Sequence, residues 1–168
     1  FREPSRELSK NEYAKLLQAA QNEGKERLLL IMETICATGI RVSEVKYITK
    51  ESLNRGKAEI TLKGKVRLIL IPQKLCRKLN KYARKKKITS GEIFLTGGGK
   101  SLSRKQIWAE MKALCKKANV EPSKVFPHNL RHLFAKSFYH ISRDIAKLAD
   151  VLGHSSIETT RIYLRSSG

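Results

Sequence analysis

The spacing of apolar residues predicts a chain made mostly of helices. Apolar side chains recur every three or four positions along most of its length, which is the period of an amphipathic helix. Ser9 followed by Glu12 forms a capping box and predicts the start of the first helix. The stretch from Leu28 to Ala37 is apolar nearly all round, as in a buried central helix, and Gly39 predicts its end.

A different pattern in the middle of the chain predicts a β-hairpin. Apolar residues at 58, 60 and 62 alternate with polar ones, and a second run from Arg67 to Ile71 ends at Pro72. Lys63-Gly64-Lys65 lies between these two segments and has the composition of a tight turn. We therefore expect one small antiparallel sheet.

The remaining chain again follows helical spacing, with loops and caps between the segments. Two predicted helices follow the hairpin, one carrying Leu75, Leu79 and Tyr82 and one carrying Ile107, Met111, Leu114, Cys115 and Ala118. A third runs from Pro127 through Phe138, and a fourth starts at Ser142 and Asp144 and ends at Gly153. Ser155 with Glu158 predicts the start of a short last helix. No internal repeat or low-complexity linker interrupts them. The sequence predicts one mainly α domain with a small antiparallel β-sheet (α+β) over residues 1–168.

Composition points to a polyanionic partner. Lys and Arg number 35 against 15 Asp and Glu, so the formal net charge is +20. Such an excess favours a polyanionic partner, with nucleic acid as the first candidate, the alternative being a merely solvated basic surface. No apolar run approaches the roughly 20 residues of a membrane span, and no secretory signal opens the chain. The cysteines at 36, 76 and 115 are odd in number and lack metal-ligand spacing, so we expect a cytoplasmic protein without a bound metal.

The helix after the hairpin is especially basic and is a candidate DNA contact. Lys78, Lys81 and Lys85 lie on it, and Lys65 lies in the preceding hairpin. Lysines at such positions can contact phosphates of the DNA backbone, although a solvated helix face gives the same pattern.

Candidate chemistry is concentrated in two motifs and one late tyrosine. His128 and Arg131 are three residues apart on a predicted helix and so share one face, opposite an apolar face. Leu152-Gly153-His154 follows, then Tyr163, and Arg41 lies far upstream. Each of these residues alone is more often structural. Together, two arginines, several imidazoles and a phenol suit attack on a phosphodiester by the tyrosine oxygen without a metal.

The joint pattern resembles the tyrosine recombinase (phage integrase) family, specifically its catalytic domain. The matching segments are Ala37-Thr38-Gly39-Ile40-Arg41-Val42-Ser43-Glu44, then His128-Asn129-Leu130-Arg131-His132, then Leu152-Gly153-His154-Ser155, and finally Tyr163. The resemblance extends over essentially the whole chain. It implies the fold of the DNA breaking-rejoining enzymes and a strand transfer that uses neither metal nor any other cofactor.

The resemblance also implies a role for each residue of the motifs. Arg41 and Arg131 would grip the scissile phosphate, Tyr163 would form a 3′-phosphotyrosine, and His154 would donate a hydrogen bond to the phosphate. His128 would be the general base, and Lys63 the general acid with Lys65 as its competitor. His132 has a weaker claim and suits a structural role, while residues 42–44 would be buried or would support Arg41.

The sequence differs from the family pattern in two places. The hairpin lysine normally stands in a Gly-Lys-Gly turn, whereas this turn reads Leu62-Lys63-Gly64-Lys65. The N-terminal helical domain that clamps DNA is missing, so we expect a catalytic fragment of an integrase that acts as a tetramer on two duplexes when full-length. A type IB topoisomerase and an inactive DNA-binding remnant are the alternatives.

Overall fold

The structure is a computed structural model that describes residues 7–154, 159–161 and 164. Its elements, in chain order, are α1 (Lys10–Asn22), α2 (Glu26–Thr38), a 3-10 helix (Val42–Tyr47), α3 (Lys50–Arg55), β1 (Lys57–Leu62), β2 (Lys65–Leu70), α4 (Gln73–Lys85), α5 (Arg104–Ala118), a short 3-10 turn (Pro122–Lys124), α6 (Pro127–Ser142) and α7 (Ile145–Leu152). The predicted architecture, mainly helical with one antiparallel hairpin, is confirmed. None of the described helices is long and apolar enough to cross a bilayer.

Helix α2 forms the centre of the core, as its all-round apolar sequence predicts. Ile31, Met32 and Ile35 are completely buried, and α2 packs on α6, α1 and α4. Helix α1 begins with the predicted capping box, in which the Glu12 amide donates to Ser9 Oγ and the Ser9 amide donates to Glu12 Oε1. These local signals place α1 and α2 where the sequence analysis expected them.

The end of α2 comes very close to α6 at one glycine. Gly39 caps α2 in the left-handed conformation, with φ of 76°. A Cβ atom at this position would lie 2.4 Å from a ring carbon of Phe134 on α6. Glycine is therefore required here both by backbone conformation and by space. The residues that follow, including Arg41, leave α2 right beside α6.

The hairpin is attached to the protein by one half only. Ala58, Ile60 and Ile69 face inward and are buried, whereas all residues from 61 to 66 are exposed. Leu62 continues the apolar alternation but is 60% exposed, because it lies at the turn end, beyond the covered part of the sheet. Only residues 63 and 64 form the turn, both with positive φ. Lys65, assigned to the turn from sequence, is already paired with Leu62 as the first residue of β2.

The boundary between α6 and α7 differs from the prediction. Helix α6 continues past Phe138 to Ser142, so Ser142 ends one helix and does not start the next. Asp144 caps α7 by accepting from the Lys147 amide at 3.0 Å, and Gly153 ends α7 in the left-handed conformation, both as predicted. The capping box assigned to Ser155 and Glu158 lies outside the described residues.

Candidate active site

Arg131 is buried between the ends of two helices. Its side chain lies on α6, and the residue is only 3% exposed. Nε donates to the Gly39 carbonyl oxygen at 2.6 Å, and a terminal nitrogen donates to the Leu152 carbonyl oxygen. These carbonyls stand at the C-terminal ends of α2 and α7, where carbonyl groups without helical partners attract a cation. Arg131 shares a face of α6 with His128, as predicted, but unlike His128 it is buried, and two backbone carbonyls compensate for its burial.

Arg41 lies beside this site and remains accessible. It precedes the 3-10 helix, and its backbone amide donates to Glu44 Oε1 at 2.8 Å. Its guanidinium nitrogen NH1 is 3.6 Å from Glu44 Oε2, and its side chain is 37% exposed. Glu44 thus holds both the backbone and the side chain of Arg41 while leaving part of the guanidinium open to a ligand.

Glu44 is itself held by an arginine that the sequence analysis did not consider. Arg67 on β2 donates to Glu44 Oε2 at 2.8 Å and to Oε1 at 3.1 Å, and its Nε donates to the Val151 carbonyl oxygen at 2.9 Å. Burial raises the pKa of the Glu44 carboxyl, but hydrogen bonds from Arg67 and from the Arg41 amide lower the pKa overall. Glu44 is therefore an anion at neutral pH. The sequence does contain a signal for this role of Arg67: it is a charged residue at an inward-facing position of β2, two residues before the buried Ile69.

The residues around Arg41 were all expected to be buried or supporting. Glu44 is buried as expected, and its contacts give it the supporting role. Ser43 is exposed, because the 3-10 helix turns that side chain toward solvent, so the structure excludes burial and leaves the supporting role as a prediction.

His154 follows α7 and completes the cluster. Its backbone amide donates to the Ala149 carbonyl oxygen, and its Nδ1 lies 2.8 Å from Thr160 Oγ1. Burial first, and then the positive charges of Arg131, Arg41 and Arg67, lower the pKa of His154 to about 4. The imidazole is therefore neutral at neutral pH. Thr160 is fully buried and was missed from sequence, where nothing distinguishes it from Thr159.

The other two histidines of interest lie on α6 in different environments. His128, the candidate base, is exposed on the first turn, three residues before Arg131. His132 is buried, and its Nε2 is 3.8 Å from Glu7 Oε1, in agreement with the structural role expected of it. The contacts of Glu7 also attach the start of the described chain to α6 through Lys136.

Among the described residues, no hydrogen bond or ion pair joins Lys63 or Lys65 to Arg41, Arg131 or His154. Lys63 and Lys65 lie in the exposed part of the hairpin, and Tyr163 lies outside the described residues. Lys81 is exposed on α4, as are Lys78 and Lys85, which pair with acidic residues of α2: Lys78 with Glu33 at 2.8 Å and Lys85 with Glu26 at 3.1 Å. Within residues 7–154, 159–161 and 164, no group of three His, Cys, Asp or Glu residues could hold a metal ion.

Comparison with known proteins identifies relatives of the whole chain. Residues 6–168 match the Phage integrase family. The chain is 35% identical over 165 residues to tyrosine recombinase XerA of Pyrococcus furiosus, an alignment that covers 94% of this chain and 56% of that protein. The chain thus spans little more than half the length of this curated relative.

Solved structures agree with this match. A crystal structure of XerA recombinase superposes with a TM-score of 0.78 at 27% identity, over 94% of this chain and 57% of that one. The catalytic domain of bacteriophage HP1 integrase superposes with a TM-score of 0.68 at 25% identity, over 96% of this chain and 88% of the domain. The predicted catalytic-domain fold is therefore confirmed by structural likeness as well as by its own elements.

Proposed function

Because the chain belongs to the phage integrase family, we propose that it is the catalytic domain of a site-specific DNA recombinase that cleaves and rejoins DNA through a 3′-phosphotyrosine. The observation that carries the proposal is the convergence of Arg41, Arg131 and His154, which come from three distant parts of the chain. The 35% identity to a tyrosine recombinase supports the same activity.

The two arginines supply the positive charge for phosphoryl transfer. Arg41 and Arg131 bind the non-bridging oxygens of the scissile phosphate and stabilise the extra negative charge of its five-coordinate transition state. The site is prepared for this task because Glu44 orients Arg41, while the ends of α2 and α7 fix Arg131 before any DNA binds. Charge stabilisation by two fixed guanidinium groups gives the reaction a route that requires no metal ion.

His154 contributes a neutral hydrogen-bond donor. A neutral imidazole carries one ring proton, and the Thr160 hydroxyl at 2.8 Å from Nδ1 influences which nitrogen holds it. When Thr160 donates to Nδ1, the ring proton lies on Nε2, which donates to a phosphate oxygen. Burial, together with the nearby arginines, lowers the pKa of His154 and keeps the imidazole neutral before the phosphate arrives.

The remaining residues move the protons of the cleavage step. The Tyr163 oxygen forms a bond to phosphorus as the bond to the 5′ oxygen breaks. His128 accepts the phenolic proton, and Lys63 donates a proton to the leaving 5′ oxygen, with Lys65 as the alternative donor. Rejoining reverses these transfers, and the phosphotyrosine conserves the energy of the broken bond.

We propose double-stranded DNA as the partner, and a homotetramer on two synapsed duplexes as the assembly of the full-length protein. The net charge of +20 supports DNA binding, with Lys65, Lys78, Lys81 and Lys85 as candidate backbone contacts. The activity would serve integration and excision of a mobile genetic element within the cytoplasm.

A covalent capture experiment with randomised DNA tests the proposed function and identifies the target sequence at the same time. The chain is incubated with nicked suicide duplexes of randomised sequence, and DNA that remains attached to protein under denaturing conditions is sequenced. We expect captured DNA to share one sequence motif, and no capture by Tyr163→Phe. Absence of covalent DNA with the unmodified chain, or equal capture by Tyr163→Phe, would refute the proposal.

The captured sequence then separates recombination from DNA relaxation. Duplexes that carry the motif serve in a strand-exchange assay, and a supercoiled plasmid that carries the motif serves in a relaxation assay. Strand exchange between two duplexes supports a recombinase. Relaxation without exchange indicates a type IB topoisomerase, and binding without covalent capture indicates an inactive remnant.

The identity of the general acid is tested by chemical rescue. Sulfur in place of the 5′ bridging oxygen gives a leaving group that needs no proton. We expect Lys63→Ala to cleave the oxygen substrate slowly and the sulfur substrate at nearly the unmodified rate. Rescue of Lys65→Ala and not of Lys63→Ala would transfer the role to Lys65.

A further inference from the structure

The hairpin that carries Lys63 has an anchored half and a projecting half. Strand pairing places Ile60 opposite Arg67, and these are the last paired residues before the turn whose side chains are not exposed. Every residue from 61 to 66 is exposed, so side-chain packing does not hold the turn in place. The orientation of the projecting half must be set where it meets the anchored half.

Arg67 lies at that point, and three hydrogen bonds hold its side chain. Two of its terminal nitrogens donate to the two oxygens of Glu44, and its Nε donates to the Val151 carbonyl oxygen. Its side chain is 12% exposed, and a Cβ atom on Gly153 would lie 2.8 Å from Arg67 Cδ. Arg67 therefore joins the hairpin to the segment of Arg41 and to the segment of His154.

From this arrangement we propose that Arg67 is a positioning residue, which aims the hairpin so that Lys63 reaches the leaving 5′ oxygen. The inference rests on the proposed function and deepens it, because it says how an exposed turn can hold a general acid. Arg67 acts through the hairpin and does not itself contact the reacting atoms, because both terminal nitrogens of its guanidinium already donate to Glu44.

The dimensions of the hairpin make this anchor important. Lys63 lies three positions after Ile60, or about 10 Å along an extended strand, so a swing of about 10° at the anchor moves the turn by roughly 2 Å. A general acid must lie within hydrogen-bond distance of the atom it protonates, and a misplacement of about 1 Å can reduce the rate roughly 100-fold. Loss of the anchor should therefore affect proton donation more than phosphate binding.

The test is chemical rescue of Arg67 variants. Arg67→Lys keeps the charge beside Glu44 but cannot make all three contacts, and Arg67→Gln removes the charge as well. On the captured DNA sequence we expect both variants to cleave the oxygen substrate roughly 10- to 100-fold more slowly. The sulfur substrate should restore most of the rate of Arg67→Lys, and the KM for DNA should change little.

Arg27 provides a matched control at the other end of α2. It makes the same kinds of contact, donating to the Leu95 carbonyl oxygen at 2.8 Å and to Glu110 at 2.8 Å. Arg27→Lys should reduce thermal stability to a comparable extent yet leave cleavage of both substrates at the unmodified rate. This control separates a loss of stability from a loss of positioning.

A second measurement does not depend on activity. The ¹⁵N relaxation of the Gly64 amide reports motion of the turn, and we expect it to show larger amplitudes in Arg67→Lys than in the unmodified chain or in Arg27→Lys. Unchanged cleavage, equal defects on both substrates, or unchanged Gly64 relaxation would each overturn the inference. Failure of the unmodified chain to form covalent DNA would instead refute the proposed function, and the relaxation data would still test the anchor.

Discussion

Substitution of Gly39 by alanine tests whether the contact between α2 and α6 builds the site. Gly39 has φ of 76°, and its Cα faces the Phe134 ring on α6. Its carbonyl oxygen accepts from Arg131, which lies on α6 three residues before Phe134. One methyl group at this position therefore perturbs both the packing of the two helices and the support of a phosphate-binding arginine.

Two effects should lower the free energy of unfolding in Gly39→Ala. An alanine held at positive φ costs about 1 kcal/mol relative to glycine. The new Cβ would lie 2.4 and 2.5 Å from two ring carbons of Phe134, so the ring and helix must move by roughly 1 Å, and such overpacking costs about 1 to 3 kcal/mol. We therefore expect Gly39→Ala to lower the free energy of unfolding by about 2 to 4 kcal/mol.

Two other glycines serve as matched controls in urea unfolding. Gly56 has φ of 72° with no atom near its would-be Cβ, so Gly56→Ala should cost only about 1 kcal/mol. Gly153 has φ of 79°, and its would-be Cβ lies 2.8 Å from Arg67 Cδ, a less severe approach than the 2.4 Å at Gly39, so the loss from Gly153→Ala should fall between the other two. Phe134→Leu in combination with Gly39→Ala should cost less than the sum of the two single substitutions. Equal losses from Gly39→Ala and Gly56→Ala would refute the packing argument.

Two further outcomes follow from the electrostatics. NMR of labelled imidazoles should show His154 titrating at about pH 4, and Arg67→Gln should raise this pKa because it removes one nearby positive charge. A midpoint near pH 6.5 in this titration would contradict the argument. Because the pKa of His154 is lower in the folded than in the unfolded state, protonation of His154 favours unfolding. The contribution of His154 to the free energy of unfolding should therefore fall as the pH drops from about 6.5 toward 4. Non-covalent binding of duplex DNA should be weak and should fall steeply with salt: the slope of log affinity against log salt should be about 0.9 per phosphate contact. Replacing Lys78, Lys81 and Lys85 with alanine should flatten the slope, and Arg41→Ala should leave it nearly unchanged. An unchanged slope in the triple variant would show that α4 faces away from DNA.

The helices and the hairpin could be predicted because their signals are local. The capping box at Ser9 and the apolar run that ends at Gly39 each specify a boundary within a few residues of sequence. The end of α6 was placed too early because Arg143 caps that helix in the left-handed conformation. An arginine in this role carries no sequence signal of the kind that glycine gives at Gly153.

The organisation of the site could be predicted only in part. The motifs identified Arg41, Arg131 and His154, and the structure brings these residues together. The burial of Arg131 could not be predicted, because it depends on carbonyl groups 92 and 21 residues away in the chain. The same is true of Arg67, whose partners lie 23 and 84 residues away. Contacts of this kind depend on tertiary structure and leave no spacing to recognise.

In the proposed reaction, Tyr163 becomes covalently attached to DNA at a site built from Arg41, Arg131 and His154. The most direct test is mass spectrometry of the captured complex after digestion with nuclease and protease. We expect a peptide that carries a nucleotide on Tyr163 through its 3′ phosphate, and no such peptide from Arg131→Ala. Attachment at another tyrosine, or through a 5′ phosphate, would contradict it.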